Sequence, residues 1–182
     1  VKSNVTILNN FIVRPGVKYT LKITANPTDS LFIHNGIPVV SIAGKVWMRH
    51  NLGAPRNLDP DNNITTDIIG NYYKFGLKDP VANGNTSNTA ITNWNTTNSG
   101  AKNSWNSGTI NAPSKTNNDP CDNGFRIPTK PEYDNLLAAT MVNRAGTLAS
   151  PNYSLVLTSK INKNVRLTFP IAGFREIADG GL

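Results

Sequence analysis

The chain has 182 residues and carries 18 Lys plus Arg against 11 Asp plus Glu, a net charge of +7 at neutral pH. Its apolar fraction of 38% excludes a disordered tail, and its charged fraction of only 16% excludes a long solvated helix or coiled coil. No stretch approaches the roughly 20 consecutive apolar residues of a membrane-spanning helix, and no secretory signal is visible.

The basic residues are spread along the chain, the densest group being Lys160, Lys163 and Arg166. No run or helical stripe resembles a phosphate-tracking arm, so nucleic acid is not an expected partner. The excess charge reads instead as a solvated surface attracted to acidic glycans or to an anionic cell envelope. Asn occurs 27 times and Glu only twice, at Glu132 and Glu176. That bias disfavours helices and predicts short strands joined by long polar loops, a style suited to exported surface proteins.

From the start, Val5, Ile7, Phe11, Val13, Val17, Tyr19, Leu21 and Ile23 alternate at period two around a turn at Pro15-Gly16, which predicts two strands. One hairpin buries too little to stand alone, so these strands are expected to belong to a larger β-sandwich. Because the sequence opens on Val1 and enters a strand at once, it reads as a processed protein or an excerpt. Asn26 to Asn35 reads as a connection, and a second unit begins near Ile37 with a strand-like stretch from Val39 to Met48. Residues 83–118 are rich in Asn, Thr, Ser and Gly, broken only by Trp94 and Trp105. Such a segment cannot bury a core of its own and is expected to lie over the fold as a surface loop, anchored by the two indoles.

One helix is expected, starting after Pro128. Thr129 followed by Glu132 is a capping box, and Pro131 is tolerated because first-turn N–H groups have no helical partner. Tyr133, Leu136, Leu137, Thr140 and Met141 share one helical face, and Gly146 is the expected stop. Strands are expected over Leu155–Thr158 and Val165–Phe169.

Four ordered landmarks then carry a family resemblance. Trp47-Met48-Arg49-His50-Asn51-Leu52 resembles a W-x-x-x-N-L signature, and Gly70-Asn71-Tyr72-Tyr73-Lys74-Phe75-Gly76 resembles an aromatic G-x-x-Y-x-[WF]-G segment. Asp119-Pro120-Cys121-Asp122-Asn123-Gly124-Phe125-Arg126-Ile127-Pro128-Thr129-Lys130-Pro131-Glu132-Tyr133 resembles D-P-C-P-x-G-[WF]-R-[VI]-P-T-x-x-E-[WY], with Asp122 in place of the usual proline. Ala172-Gly173-Phe174-Arg175 with Asp179-Gly180-Gly181 resembles the closing A-G-[YF]-R segment. Together they resemble the Fibrobacter succinogenes major paralogous domain, an extracellular family similar in fold to C-type lectins and distantly to formylglycine-generating enzymes. In addition, Arg14-Pro15-Gly16-Val17-Lys18-Tyr19-Thr20-Leu21 resembles the strands of fimbrillin-like domains.

The resemblance implies an α+β fold with a C-type-lectin-like module over residues 37–182, having one main helix, short antiparallel strands and long loops. It would follow the closing strands and linker of a fimbrillin-like β-sandwich over residues 1–36. Family members continue with further strands and a second cysteine, so the module is expected to be incomplete at its C-terminus, with Cys121 as half of a disulfide. The pairing of the two modules resembles an accessory or tip pilin of Bacteroidales fimbriae. It implies a non-enzymatic adhesin on the cell surface or outer membrane, with other fimbrial subunits and host or bacterial glycans or proteins as partners and with no cofactor. The alternatives are a stand-alone outer-surface lipoprotein that binds polysaccharide, and an enzyme descended from the formylglycine-generating fold.

The candidate ligand contacts are Trp94, Asn95, Trp105 and Asn106, because an aromatic in a polar loop can stack on a sugar face. The same indoles can equally pin the loop. Neither Trp-Asn pair is followed by Asp as in the calcium ligands of sugar-binding lectins. Asp59-Pro60-Asp61-Asn62-Asn63 opens like a calcium loop but places Ile64 where Gly is needed and Gly70 where Glu is needed. No metal site is expected. A catalytic thiol at Cys121 would need a base, and neither His34 nor His50 has an adjacent acid in sequence.

Overall fold

Two tight turns decide how the chain folds before residue 50. Asn35-Gly36 (φ 50° and 77°) and Ala43-Gly44 (φ 52° and 73°) both place two successive residues in the left-handed region, the type I′ geometry that matches the twist of a two-residue hairpin. They join β1 (Ser30–His34), β2 (Ile37–Ile42) and β3 (Lys45–Met48) into an antiparallel sheet of order β1-β2-β3. The computed structural model describes residues 28–182 apart from 98, 99, 149 and 151, together with Pro15, Gly16 and Lys18. The strands expected over Val5–Ile23, and the fimbrillin-like resemblance resting on them, lie outside the described residues.

Two expectations are corrected here. Ser30–His34 is not a connection but a strand paired with β2, so the boundary expected between residues 36 and 37 falls inside a hairpin turn. Its signal was weak because β1 is an edge strand whose Leu31, Phe32 and Ile33 all stay exposed, leaving no buried alternation to read. Val39–Met48 is two strands, not one, because Ala43-Gly44 reverses the chain. Central β2 buries both faces: Val40 and Ile42 on one side, Ile37 and Val39 on the other.

After β3 the chain makes turns and a short 3-10 turn (Thr66–Ile69), then a small sheet of β4 (Asn71–Tyr73) and β5 (Pro80–Asn83). No helix or strand lies between Gly84 and Thr129 among the described residues; a single bridge joins Asn106 to Lys115. None of the described residues from 84 to 118 is buried, so this stretch is the expected surface loop.

Helix α1 (Lys130–Ala139) starts where its capping box predicts: the Thr129 N–H donates to Glu132 Oε2 at 3.0 Å. It stops earlier than expected. Thr140 and Met141 do not extend its apolar face but open β6 (Thr140–Ala145), which pairs over its whole length with β7 (Ser154–Ser159). The Thr140 hydroxyl turns back to donate to the carbonyls of Leu136 (2.9 Å) and Leu137 (3.3 Å), closing the last helical turn at a β-branched residue that also suits a strand. Gly146, the expected helix stop, ends β6 instead. Its φ is +80°, and a Cβ there would lie 2.0 Å from the Asn152 carbonyl oxygen. β8 (Arg166–Pro170) completes the sheet β6-β7-β8, as the expected strands required.

The fold is therefore mixed α+β, with one α-helix and three small antiparallel sheets among the described residues. Its core lies where β2, α1 and the third sheet meet, with Val40, Ile42, Leu136, Leu157, Val165 and Leu167 almost fully buried and Trp47, Tyr133 and Phe169 packed against them. Buried Asp29 stitches the first sheet to the third: one carboxylate oxygen accepts from the Ala43 N–H (3.0 Å), the other from the Ser159 hydroxyl (2.5 Å). No helix in the described residues is long and apolar enough to cross a membrane.

Candidate functional site

The four landmarks are structural neighbours, and they build on one another. Asn51 donates its amide to the Ile69 carbonyl (3.0 Å), and the Asn71 N–H donates to the Leu52 carbonyl (2.7 Å), so the first landmark sets the start of β4 in the second. Gly70 between them has φ +74°, and a Cβ there would lie 2.4 Å from the Leu52 oxygen, so only glycine fits. Leaving β4, the chain passes Lys74, Phe75 and Gly76. The long loop is pinned there by the Gly100 N–H donating to the Phe75 carbonyl (2.7 Å) and by Trp105.

Trp105 packs edge-on to Phe75, with ring centroids 5.0 Å apart, and its indole N–H donates to the Leu77 carbonyl at 3.1 Å. Trp94 donates its indole N–H to the Ile177 carbonyl at 3.1 Å. The backbone beside it is fastened to the C-terminal segment, Ile91 N–H to Asp179 and Leu182 N–H to Asn88. Both indoles thus anchor the loop, the bland alternative of the sequence reading. The asparagines following them are turn-formers: the Asn95 side-chain oxygen accepts from the Thr97 N–H (2.8 Å), and that of Asn106 from Gly108 (3.0 Å) and Ser114 (2.8 Å).

Trp94 does more than anchor. With Tyr72, Lys74, Phe75, Phe174 and Arg175 it walls a groove of about 350 Å³ between β4, the long loop and the C-terminal segment. The Lys74 ammonium lies 5.0 Å from the Trp94 ring centroid and donates to the carbonyls of Asn95 and Thr97. The Arg175 guanidinium lies 4.9 Å from the Tyr72 ring centroid and donates to the carbonyls of Ser87 (2.8 Å), Gly180 (2.8 Å) and Thr86 (2.9 Å). Its buried Nε–H has no partner among the described residues, a deficit worth about 1–3 kcal/mol. Tyr72 donates its hydroxyl to the Ala172 carbonyl (2.5 Å), and burial outweighs the nearby Arg175 charge to push its phenol above the ordinary value. Lys74 and Arg175 were not foreseen as site residues. The available signal was their place inside the second and fourth landmarks.

Cys121 lies elsewhere, in a second groove of about 350 Å³ beside the start of α1, with Trp47, Phe125, Ile127 and Tyr133. Its loop is organised by buried Asp119, which accepts from the N–H groups of Cys121 and Ile127, both at 2.8 Å, and from Lys115 (3.2 Å). Burial, and then the negative charge of Asp119, push the Cys121 thiol up to about 12, so at neutral pH it is a thiol and not a nucleophilic thiolate. His34 packs edge-on to Phe125. His50 is buried, with Nε2 donating to the Leu58 carbonyl at 2.6 Å, which fixes its tautomer when neutral.

The aspartates of the calcium-like segment serve a cation already in the chain. Arg49 donates to Asp59 (2.6 Å) and Asp61 (2.8 Å), and Asp61 also accepts from Thr168. Among the described residues no group of three or more His, Cys, Asp and Glu is placed to hold a metal ion. Comparison with family models, with curated proteins and with solved structures finds no match to the chain.

Proposed function

We propose that the chain is a non-enzymatic cell-surface adhesin with a C-type-lectin-like module, an accessory or tip subunit of a Bacteroidales-type fimbria that contacts glycoconjugates or proteins. The observation that carries this reading is the aromatic and cationic groove around Trp94, held open on loops by backbone hydrogen bonds. An aromatic wall with a few fixed donors is the usual make-up of a saccharide subsite, since sugars offer apolar ring faces and a rim of hydroxyls. A shallow site of this kind gives modest single affinities, which display of many copies on a fimbria raises by avidity.

The test is binding of the purified protein to immobilised polysaccharides and to cell surfaces, with and without chelator. Saturable, reversible binding unaffected by chelator is expected, and absence of binding to every glycan and protein surface would overturn the proposal. Co-purification with sheared fimbriae separates the fimbrial subunit from the runner-up, a stand-alone outer-surface lipoprotein. The third reading, an enzyme of formylglycine-generating ancestry, is weakened by the surroundings of Cys121, where burial and then the charge of Asp119 keep the thiol protonated.

A further inference from the structure

We infer that the groove around Trp94 selects anionic saccharides, sugars bearing a carboxylate or a sulfate, with the ring on the aromatic wall and the anionic group taken by Lys74 and Arg175. This rests on the adhesin reading and gives it a ligand class. Every polar partner of these two cations among the described residues is a neutral backbone carbonyl: Asn95 and Thr97 for Lys74; Thr86, Ser87 and Gly180 for Arg175. Carbonyls fix a cation's position without neutralising it. Elsewhere in the fold partly buried basic side chains are neutralised by carboxylates, as Arg49 is by Asp59 and Asp61 and Arg126 is by Glu132. Among the described residues Lys74 and Arg175 form no such pair, although Glu176 and Asp179 lie close to Arg175 in sequence, and no carboxylate is among the described residues that line the groove.

Two uncompensated positive charges in one concave site focus a field that favours an anion over a neutral ligand. The wall beside them is apolar and accessible: Phe174 is 72% exposed and Ile177 60%. A bare inorganic anion would use the charges but not this wall. An acidic sugar uses both, because its ring packs on Trp94 and Phe174 while its carboxylate or sulfate meets the cations.

The test uses oligogalacturonate, its methyl ester, a sulfated galactan oligosaccharide and a neutral galactan oligosaccharide, titrated by calorimetry in about 150 mM salt. The acid is expected to bind about tenfold or more tightly than its ester. The sulfated probe then tells whether the site reads carboxylate or any fixed anion. Lys74→Met, which keeps the stem over Trp94 but gives up the bonds to Asn95 and Thr97, is expected to lower acid affinity about fivefold or more, and ester affinity far less, at a temperature where the variant is fully folded. Phe174→Ala should weaken acid and ester alike. Because the whole chain is basic, Lys163→Gln combined with Arg166→Gln is the control. It removes more charge, away from the groove, and should change affinity less than about twofold. Equal binding of acid, ester and neutral sugar would overturn the inference and leave the adhesin reading standing. An equal loss in the control would overturn it too, showing a whole-molecule charge effect. Failure of all four sugars overturns it as well, and the adhesin reading then rests on protein ligands alone.

Discussion

Glu132 and Arg126 meet in a two-point ion pair, Nη2 to Oε1 at 2.6 Å and Nη1 to Oε2 at 2.8 Å, while the same Oε2 accepts the Thr129 N–H that caps α1. One carboxylate therefore fastens the loop after Cys121 to the helix start. Lys45 of β3 adds a third cation, 3.4 Å from Oε1.

The Arg126 hydrogen bonds, above all, hold the Glu132 carboxyl at about 2, against an ordinary value of 4.5. A carboxyl lowered on folding contributes stability that is fully present above its unfolded value and is lost as pH falls towards its folded one. The expected loss is about 1 kcal/mol between roughly pH 5 and 2, after allowance for solvent screening. Urea unfolding of the wild type and of Glu132→Gln across that range checks it. The variant should be less stable at pH 7 and should show a flatter dependence on acid, and parallel curves would refute the assignment.

Cys121 is expected to resist alkylation for two separable reasons. If it is half of a disulfide, as the family resemblance implies, no label enters before reduction. After reduction it should still react slowly, because a thiol near 12 is ionised to only about one part in ten thousand at pH 8. Asp119→Asn removes the nearby charge and should speed that second phase. It should also cost about 2 kcal/mol by leaving a buried N–H of Cys121 or Ile127 without a full acceptor. Rapid labelling of the unreduced protein would count against the disulfide.

The legible parts of the fold were those set by local chemistry. Thr129 and Glu132 mark the helix start, and the apolar alternation at Leu155–Leu157 and Val165–Leu167 marks β7 and β8, because these signals act within a few residues. The helix end was not legible: Thr140 and Met141 fit the helical face, and their strand identity comes from Ser159 and Thr158 across the sheet. The site was half legible. Trp94 and Trp105 stood out in a polar loop, yet the partners that make the groove, Lys74 and Arg175, lie about 20 and 80 residues away and become neighbours only through backbone carbonyls, which carry no sequence signal.

Ala43 gives a prediction that needs no ligand. It sits at φ 52° in the turn between β2 and β3, where a Cβ is strained, and is held there by the Asp29 carboxylate on its N–H. Ala43→Gly removes the strain but widens the unfolded ensemble, and at a left-handed position the first effect wins by about 0.5–1 kcal/mol. Thermal unfolding should rise by a few degrees, whereas Ala43→Val should lower it. A lower melting temperature for the glycine variant would contradict the turn geometry.

The two indoles and Phe174 separate anchoring from recognition. Trp105 packs on Phe75 and donates to Leu77, and Trp94 donates to Ile177, so replacing either with Ala removes packing and a hydrogen bond that fasten the loop to the fold. Each should cost about 2 kcal/mol in unfolding free energy. Phe174 is exposed in the groove wall, and Phe174→Ala should cost less than about 0.5 kcal/mol. Binding to the polysaccharide surface should follow a different order: lost with Phe174→Ala, lost with Trp94→Ala, and largely kept with Trp105→Ala at a temperature where that variant is folded. The contrast between Trp105, which supports the wall from behind, and Phe174, which forms its exposed rim, is the decisive comparison. If Phe174→Ala binds like the wild type while Trp105→Ala does not, the recognition surface lies elsewhere on the loop.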